Sequence, residues 1–172
     1  MKNKKKWIFL GIVALLLIIF GAYRYFIYVL QDQWSEKDTA IAKAKQEAGI
    51  VSVADAQKSV WDQNSIYWVV EGTNKTGQEV MVWVQFTDQG KPKEGQNTVH
   101  QELLSSGMSK EKMKAKIKST IPGIKDMRLV PGVYNGEYVW QLFYKVKDHY
   151  YYQFYRFSDG VEIGSPFTLP NR

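Results

Sequence analysis

Two residue types that often build functional sites are missing or scarce: the sequence has no cysteine and only two histidines. Without cysteine the chain can form no disulfide, bind no metal through thiolates and carry no lipid on an N-terminal thiol. His100 and His149 are far apart in the sequence, and neither has a partner at metal-ligand spacing. We therefore expect no metal and no other cofactor, and a fold stabilised by its core alone.

Common catalytic motifs are missing too. The sequence contains no GxSxG or HExxH motif and no glycine-rich phosphate loop. Asp148, His149 and Tyr150 could form an acid–base group, but a solvated histidine in a turn between two strands is the simpler interpretation. We expect a protein that is not an enzyme.

Positive charge is concentrated at the N-terminus. Residues 1–30 hold five of the 23 Lys and Arg residues and none of the 17 Asp and Glu residues. The net charge is +6 for the whole chain, but the remainder has 18 basic and 17 acidic residues, a net charge of +1. Because nucleic-acid binding needs a broad basic surface, we expect no DNA or RNA partner.

A long apolar run lies within the first thirty residues. No residue from Trp7 to Tyr23 is charged, and at about 1.5 Å per residue the segment 7–30 can cross roughly 30 Å of hydrocarbon with some tilt. Trp7 at one end, and Tyr23 and Tyr25 at the other, are suited to the two membrane surfaces. Arg24 can extend its charge to the interface. The segment therefore predicts a single-pass membrane anchor.

The charge beside this run predicts its orientation. Lysines at positions 2, 4, 5 and 6 precede it, and no comparable cluster follows. Since basic segments stay on the cytoplasmic side, we expect a protein of the cell membrane with its N-terminus in the cytoplasm and its C-terminal domains outside the cell. A cleaved signal peptide begins with a similar pattern. We favour the anchor because the run is long and no small-residue cleavage site follows Gly21 and Ala22.

After the anchor, the pattern predicts a helix and then three strands. Residues 34–48 have helical spacing, with Ser35 as the N-cap and Gly49 after the last turn. Alternating apolar residues predict strands near 51–61, 65–73 and 79–87. The face of the third strand that we expect in the core is formed by Val80, Val82, Val84 and Phe86.

The same order then recurs after a polar connector, residues 91–107, which could include a short edge strand. Ser109 caps a predicted helix that runs to about Ile121. Strands are expected near 124–134, 137–147, 149–157 and 161–164, and Asn135-Gly136 is a strong hairpin signal.

These patterns predict an α+β fold in which two domains, each a helix packed on an antiparallel sheet, follow an N-terminal transmembrane helix. Each domain is small, so we expect the two to pack together. The predicted boundaries are 1–30 for the cytoplasmic tail and anchor, 31–90 for the first domain, 91–107 for the connector and 108–172 for the second domain.

The hairpin of the first domain contains a distinctive motif. Residues 67–77 read YWVVEGTNKTG, and Val82-Trp83-Val84 follows. With the N-terminal anchor, the Ala- and Lys-rich helix before the hairpin and Trp140 in the second domain, this segment resembles the TseB-like (YpmB-type) proteins of Gram-positive bacteria. The resemblance covers nearly the whole chain, and its motif contains turn residues but no catalytic group.

The resemblance implies a pair of cystatin-like domains related to PepSY modules. It also implies regulation of cell-wall elongation through contact with a penicillin-binding protein, or another wall-synthesis protein, at the outer face of the membrane. The chain departs from the family pattern in its connector and in the aromatic run near Tyr150.

That aromatic run is the best candidate for a partner surface. Residues 149–157 read HYYYQFYRF, so both faces of a strand here would be largely aromatic. One face can pack inside the protein and the other can bind a partner, although covering by the first domain is the simpler alternative. The candidate surface comprises Tyr150, Tyr151, Tyr152, Phe154, Tyr155 and Arg156.

Three further interpretations remain open at this point. A PepSY-type module could inhibit a protease, and stacked Tyr and Trp side chains could bind peptidoglycan. The lysines that alternate along the second helix could attract an anionic wall polymer or lipid headgroups, although a solvated helix face explains them more simply.

Overall fold

The computed structural model describes the backbone of residues 2–168 and the side chains of residues 6–27 and 34–168. The chain divides into two compact units, Met1–Glu36 and Lys37–Arg172. The first unit is helical where it is described, and the second contains two antiparallel four-stranded sheets. The prediction of an α+β fold with an N-terminal apolar helix is confirmed.

The first helix, α1, spans Lys2–Ala48. Within it, Lys6–Ile27 is 22 residues long with a mean hydropathy of 2.2, which is long and apolar enough to cross a membrane. The predicted start of a separate helix at Ser35 is wrong, because Ser35 lies inside α1. An N-cap needs non-helical backbone, and residues 28–34 contain no Pro or Gly that would end the preceding helix.

The first sheet consists of β1 (Ile50–Val60), β2 (Ile66–Asn74), β3 (Glu79–Gln85) and β4 (Val99–Leu103), in that order and all antiparallel. Three of these strands lie where the alternation predicted them. β4 lies in the predicted connector but pairs with β3, so the first sheet extends beyond the predicted boundary at residue 90. As an edge strand without a buried side chain, β4 leaves only a weak pattern in the sequence.

The second sheet repeats this arrangement. A short 3-10 helix (Leu104–Ser106) precedes α2 (Lys110–Thr120), and four antiparallel strands follow: β5 (Lys125–Tyr134), β6 (Glu137–Val146), β7 (His149–Arg156) and β8 (Glu162–Thr168). As predicted, the Ser109 side chain caps α2 by accepting a hydrogen bond from the Lys112 N–H. Asn135 and Gly136, with φ of 50° and 79°, form the predicted turn.

One side of the first sheet packs on the end of α1. The valine face of β3 and Phe86 are fully buried there. Ala40 and Ala44 of α1 are also fully buried, because their small side chains let the helix lie close to the sheet. The predicted core face is confirmed.

The opposite side of the first sheet is buried as well, in a core shared with α2 and the inner side of the second sheet. Its members from β3 and α2 are Met81, Trp83, Met113 and Ile117. The Trp83 indole N–H donates a hydrogen bond to the Gly132 carbonyl of β5 at 3.1 Å. The two sheets therefore pack together around one core, as expected for the two predicted helix-and-sheet units.

The motif at residues 67–77 specifies backbone geometry. Gly72 lies so close to β1 that a Cβ atom would be 2.2 Å from the Ser52 carbonyl oxygen. In the turn, Asn74 Oδ1 accepts hydrogen bonds from the N–H groups of Thr76 and Gln78, at 3.0 Å each. Gly77 closes the turn with φ of 78°. The motif thus encodes a close strand pair and a tight turn.

Candidate functional site

Alternate residues of β5, β6 and β7 point away from α2 and form the outer side of the second sheet. Residues that lie opposite each other on paired strands point to the same side of a sheet. On the outer side, Phe143 of β6 lies opposite Arg128 of β5 and opposite Tyr152 of β7. The end of β1 lies against this outer side, where the rings of Trp61 and Phe154 have centroids 4.7 Å apart.

A groove of about 790 Å³ lies where the end of β1 meets the outer side of the second sheet. This volume falls in the range of about 300–1,000 Å³ that is usual for small-molecule sites. The side chains that give the groove its chemical character are Lys58, Trp61, Arg128, Phe143, Tyr152 and Phe167.

Aromatic rings line this groove and pack beneath it. Tyr134 and Phe154 stack face to face, with centroids 3.9 Å apart and planes 2° apart. The ring of Trp61 stands nearly perpendicular to both rings, and its centroid lies 6.1 Å from that of the Phe167 ring. Trp61 and Phe167 remain 37% and 42% exposed. Packed rings below therefore hold exposed ring surface in place at the groove.

Gly132 allows the end of β1 to approach the second sheet. The Gln141 side-chain amide donates a hydrogen bond to Ser59 Oγ at 3.0 Å, and both side chains are buried. A Cβ atom at position 132 would lie 2.3 Å from each of these two polar atoms. This close contact fixes the end of β1, and with it Trp61, beside the groove.

The charge that lines the groove is positive. Lys58 and Arg128 line it and are exposed, and among the described residues that line the groove there is no Asp or Glu. Among the side chains that the structure describes, Arg128 forms no hydrogen bond or ion pair with another residue. Its guanidinium therefore gives the groove a positive potential that no described carboxylate neutralises.

A second exposed cluster adjoins the groove. Phe143 and Tyr150 stack with centroids 5.3 Å apart, and Lys145 Nζ lies 5.2 Å from the Tyr150 ring centroid, a cation–π contact. The ring centroids of Tyr152 and Phe143 are 5.2 Å apart, and Tyr152 joins this cluster to the groove. These four residues, all partly exposed, are termed the aromatic patch.

The predicted partner surface is divided by the structure. Tyr150 and Tyr152 lie on the outer side, as part of the aromatic patch. Phe154 is 0% exposed below the groove and Tyr155 is 1% exposed in the shared core, so neither can contact a partner without rearrangement. Tyr151 packs partly against the shared core. The surface that a partner could reach is thus smaller than the predicted one.

Arg156, the sixth predicted residue, has a structural role in the turn after β7. Its guanidinium donates to Glu137 at 2.8 Å and to Asp159 at 3.0 Å. Asp159 also accepts a hydrogen bond from the Val161 N–H at 2.9 Å. That backbone hydrogen bond, with the contact to Arg156, holds the pKa of Asp159 below its usual value.

The histidines and buried phenols have structural surroundings. His100 stacks on Tyr138, with centroids 3.8 Å apart, and its Nε2 lies 3.0 Å from Glu102 Oε1. His149 is exposed at the start of β7. Burial raises the pKa of Tyr138 and of Tyr155, so both phenols are neutral at physiological pH.

One lysine of α2 is structural. Lys116 donates a hydrogen bond to the Gly160 carbonyl at 2.6 Å and links α2 to the turn after β7. Lys112 and Lys118 are exposed. Attraction of these lysines to an anionic polymer remains a prediction.

The predicted anchor residues all lie in the apolar segment Lys6–Ile27 of α1. Trp7 lies near one end of this segment, and Tyr23, Arg24 and Tyr25 lie near the other, with exposed side chains. This distribution suits the two interfaces of a bilayer. Their contact with lipid remains a prediction.

The residues that distinguish the groove were missed from the sequence. Trp61 lies at the end of a predicted strand, directly before a turn. This position was the only signal in the sequence that could have pointed to Trp61 as a groove residue. The groove also draws on three strands of the second sheet, through Arg128, Phe143 and Phe167. Only the pairing of the strands and the packing of β1 bring these residues to one groove. No local pattern connects them.

The comparison with family models gives one relevant match. Residues 39–85 match the model of the cell wall elongation regulator TseB-like domain. The matched segment covers the end of α1 and strands β1, β2 and β3, and it includes the motif at residues 67–77. No curated protein shows significant sequence similarity to this chain.

A solved structure has the same fold. The YpmB protein from Bacillus subtilis superposes with a TM-score of 0.60 and 23% sequence identity, covering 77% of this chain and 96% of that one. At this identity the likeness establishes the fold. Together with the family match, it confirms the TseB-like (YpmB-type) resemblance seen in the sequence.

Proposed function

We propose, from the TseB-like domain at residues 39–85, that this chain is a membrane-anchored extracytoplasmic binding protein that regulates cell-wall elongation. It acts through contact with a penicillin-binding protein and does not catalyse a reaction. Its two helix-and-sheet units are cystatin-like domains. The family match is the observation on which the proposal depends.

The apolar segment of α1 supports the anchoring. Lysines precede this segment, which favours a cytoplasmic N-terminus and places the two sheets outside the cell. A regulator and a target that share one membrane meet at a high effective concentration. A weak contact between them is therefore sufficient, and the anchor is part of the mechanism.

The aromatic patch is the surface that we assign to the partner. Tyr150 and Phe143 offer stacked, partly exposed rings, and Lys145 adds a positive charge beside them. Rings and cations of this kind anchor protein interfaces because they bury much apolar area with little loss of side-chain freedom. The patch replaces the predicted surface, since Phe154 and Tyr155 are buried.

Site-specific photocrosslinking in growing cells tests the proposal. A benzophenone amino acid is placed at Tyr150, on the patch, or at Lys75, an exposed turn position of the first sheet. Crosslinked products are then labelled with fluorescent penicillin, which marks penicillin-binding proteins directly. We expect a labelled product from position 150 and none from position 75.

A labelled product from both positions would show contact without a defined surface and would contradict the assignment of the patch. No penicillin-labelled product from either position, with both proteins present in the membrane, would contradict the proposed partner.

A further inference from the structure

We propose that the groove between the end of β1 and the outer side of the second sheet binds an acidic oligosaccharide, a glycan strand whose sugar rings carry carboxylates. The inference rests on the proposed function only in placing the groove outside the cell membrane, where such polymers occur. It assigns the groove a ligand of its own, separate from the protein partner of the aromatic patch.

Exposed aromatic rings in the groove favour sugar rings as the ligand. Trp61 and Phe167 present partly exposed ring surface there, and Tyr152 lies beside them. One face of a pyranose ring is lined with C–H groups, which pack well on a flat aromatic surface and remove apolar area from water. Stacked Tyr134 and Phe154 hold Trp61 from below, so little side-chain freedom is lost on binding.

The charge of the groove favours an acidic glycan over a neutral one. Among the described residues that line it, the charged ones are Arg128 and Lys58, and both are basic. A guanidinium can donate two parallel hydrogen bonds to a carboxylate, and the described side chains leave Arg128 available for this contact. Neutral sugars would gain only the stacking.

The floor of the groove argues against an extended peptide as the ligand. Gln141 and Phe143 lie on β6, which is paired with β5 on one side and β7 on the other. Its backbone groups are therefore used within the sheet, and a peptide could not add itself as another strand there. Polyol phosphate chains also fit poorly, because they have no ring to stack on Trp61.

Fluorescence anisotropy of a labelled tetrasaccharide tests the inference. The full-length protein in lipid nanodiscs is titrated into a tetrasaccharide of alternating N-acetylglucosamine and N-acetylmuramic acid, in which every second sugar carries a carboxylate. Unlabelled competitors are chitotetraose, which has similar rings without carboxylates, and poly(glycerol phosphate), which has anions without rings. We expect chitotetraose to compete about fivefold more weakly than the unlabelled acidic tetrasaccharide, and poly(glycerol phosphate) not to compete.

Two variants with a matched control locate the site. Arg128→Gln is expected to weaken binding about fivefold, because it removes one partly solvated ion pair. Lys125→Gln removes the same charge from an exposed position of the same strand outside the groove, and it should leave binding unchanged. Trp61→Leu should weaken binding about tenfold through lost stacking, and thermal melts of the three variants verify folding.

Equal loss of binding in Arg128→Gln and Lys125→Gln would overturn the inference, since it would indicate general charge attraction. So would absence of binding to the acidic tetrasaccharide, or stronger competition by poly(glycerol phosphate). These outcomes do not depend on the crosslinking experiment: a failed crosslink with retained glycan binding rejects the protein partner and leaves the groove assignment intact.

Discussion

Glu71 is the residue whose surroundings give the clearest dependence on pH. It lies half-buried on β2, near Asp55 of β1 and Lys110 of α2. Burial is the largest effect and raises the pKa of Glu71 above 4.5; Asp55 raises it further, and Lys110 partly opposes the rise. The folded state thus binds this proton more tightly than the unfolded state.

Replacing this carboxyl group should therefore stabilise the protein near neutral pH. When the pKa is raised in the folded state, the stability linked to that group is present below its unfolded pKa and is lost as pH rises through the folded pKa. We expect Glu71→Gln to raise the melting temperature by a few degrees at pH 7 and to have a much smaller effect at pH 4. Circular dichroism melts of the solubilised full-length protein measure this.

The matched control is Glu162→Gln, which removes the same charge from an exposed position of β8. It should give no comparable gain at pH 7. An equal gain for Glu71→Gln at both pH values would show that burial of the charge is not the cause.

At the scale of elements, the contact between β1 and β5 holds the groove together. Gly132→Ala would place a methyl group 2.3 Å from the Ser59 hydroxyl and from the Gln141 amide. We expect this overpacking to cost about 1–3 kcal/mol of unfolding free energy, measured by chemical denaturation. It should also weaken binding at the groove, because the end of β1 positions Trp61.

A double-mutant cycle separates crowding from other effects. Ser59→Ala removes one of the two polar atoms that the new methyl group would meet, so Gly132→Ala should cost less in that background than in the original chain. Strict additivity of the two changes would contradict the proposed clash.

The sequence predicted elements well where the signal is local. Ser109 at the start of α2, the valine face of β3 and the Asn135-Gly136 turn all lie within short windows of residues that fix their own backbone. A short edge strand was allowed for in the connector, but the bounds of β4 could not be placed because an edge strand with no buried residue has little alternation.

The groove could not be predicted because it depends on contacts distant in sequence. Trp61, Arg128 and Phe167 come together only through the sheet order and the close passage of β1 over Gly132. Phe154, one residue of the predicted partner surface, is buried for a related reason. Alternation assigns Phe154 to the outer face, but it does not reveal that Trp61, directly after β1, covers that position.

At the scale of the whole molecule, the two sheets share one core, so the groove and the aromatic patch belong to one compact unit. A partner on the patch and a glycan in the groove would therefore meet on neighbouring surfaces, joined through Tyr152 and Phe143.

The central claim is that the apolar helix stays in the membrane and presents the two sheets outside the cell, and labelling of single cysteines tests it most directly. Because the sequence has no cysteine, each introduced thiol is unique. With Lys75→Cys, a membrane-impermeant maleimide should label intact cells; with Lys4→Cys, it should label only permeabilised cells, and both full-length proteins should sediment with membranes. Labelling of Lys75→Cys only after permeabilisation, or release of a shortened protein into the medium, would contradict the account.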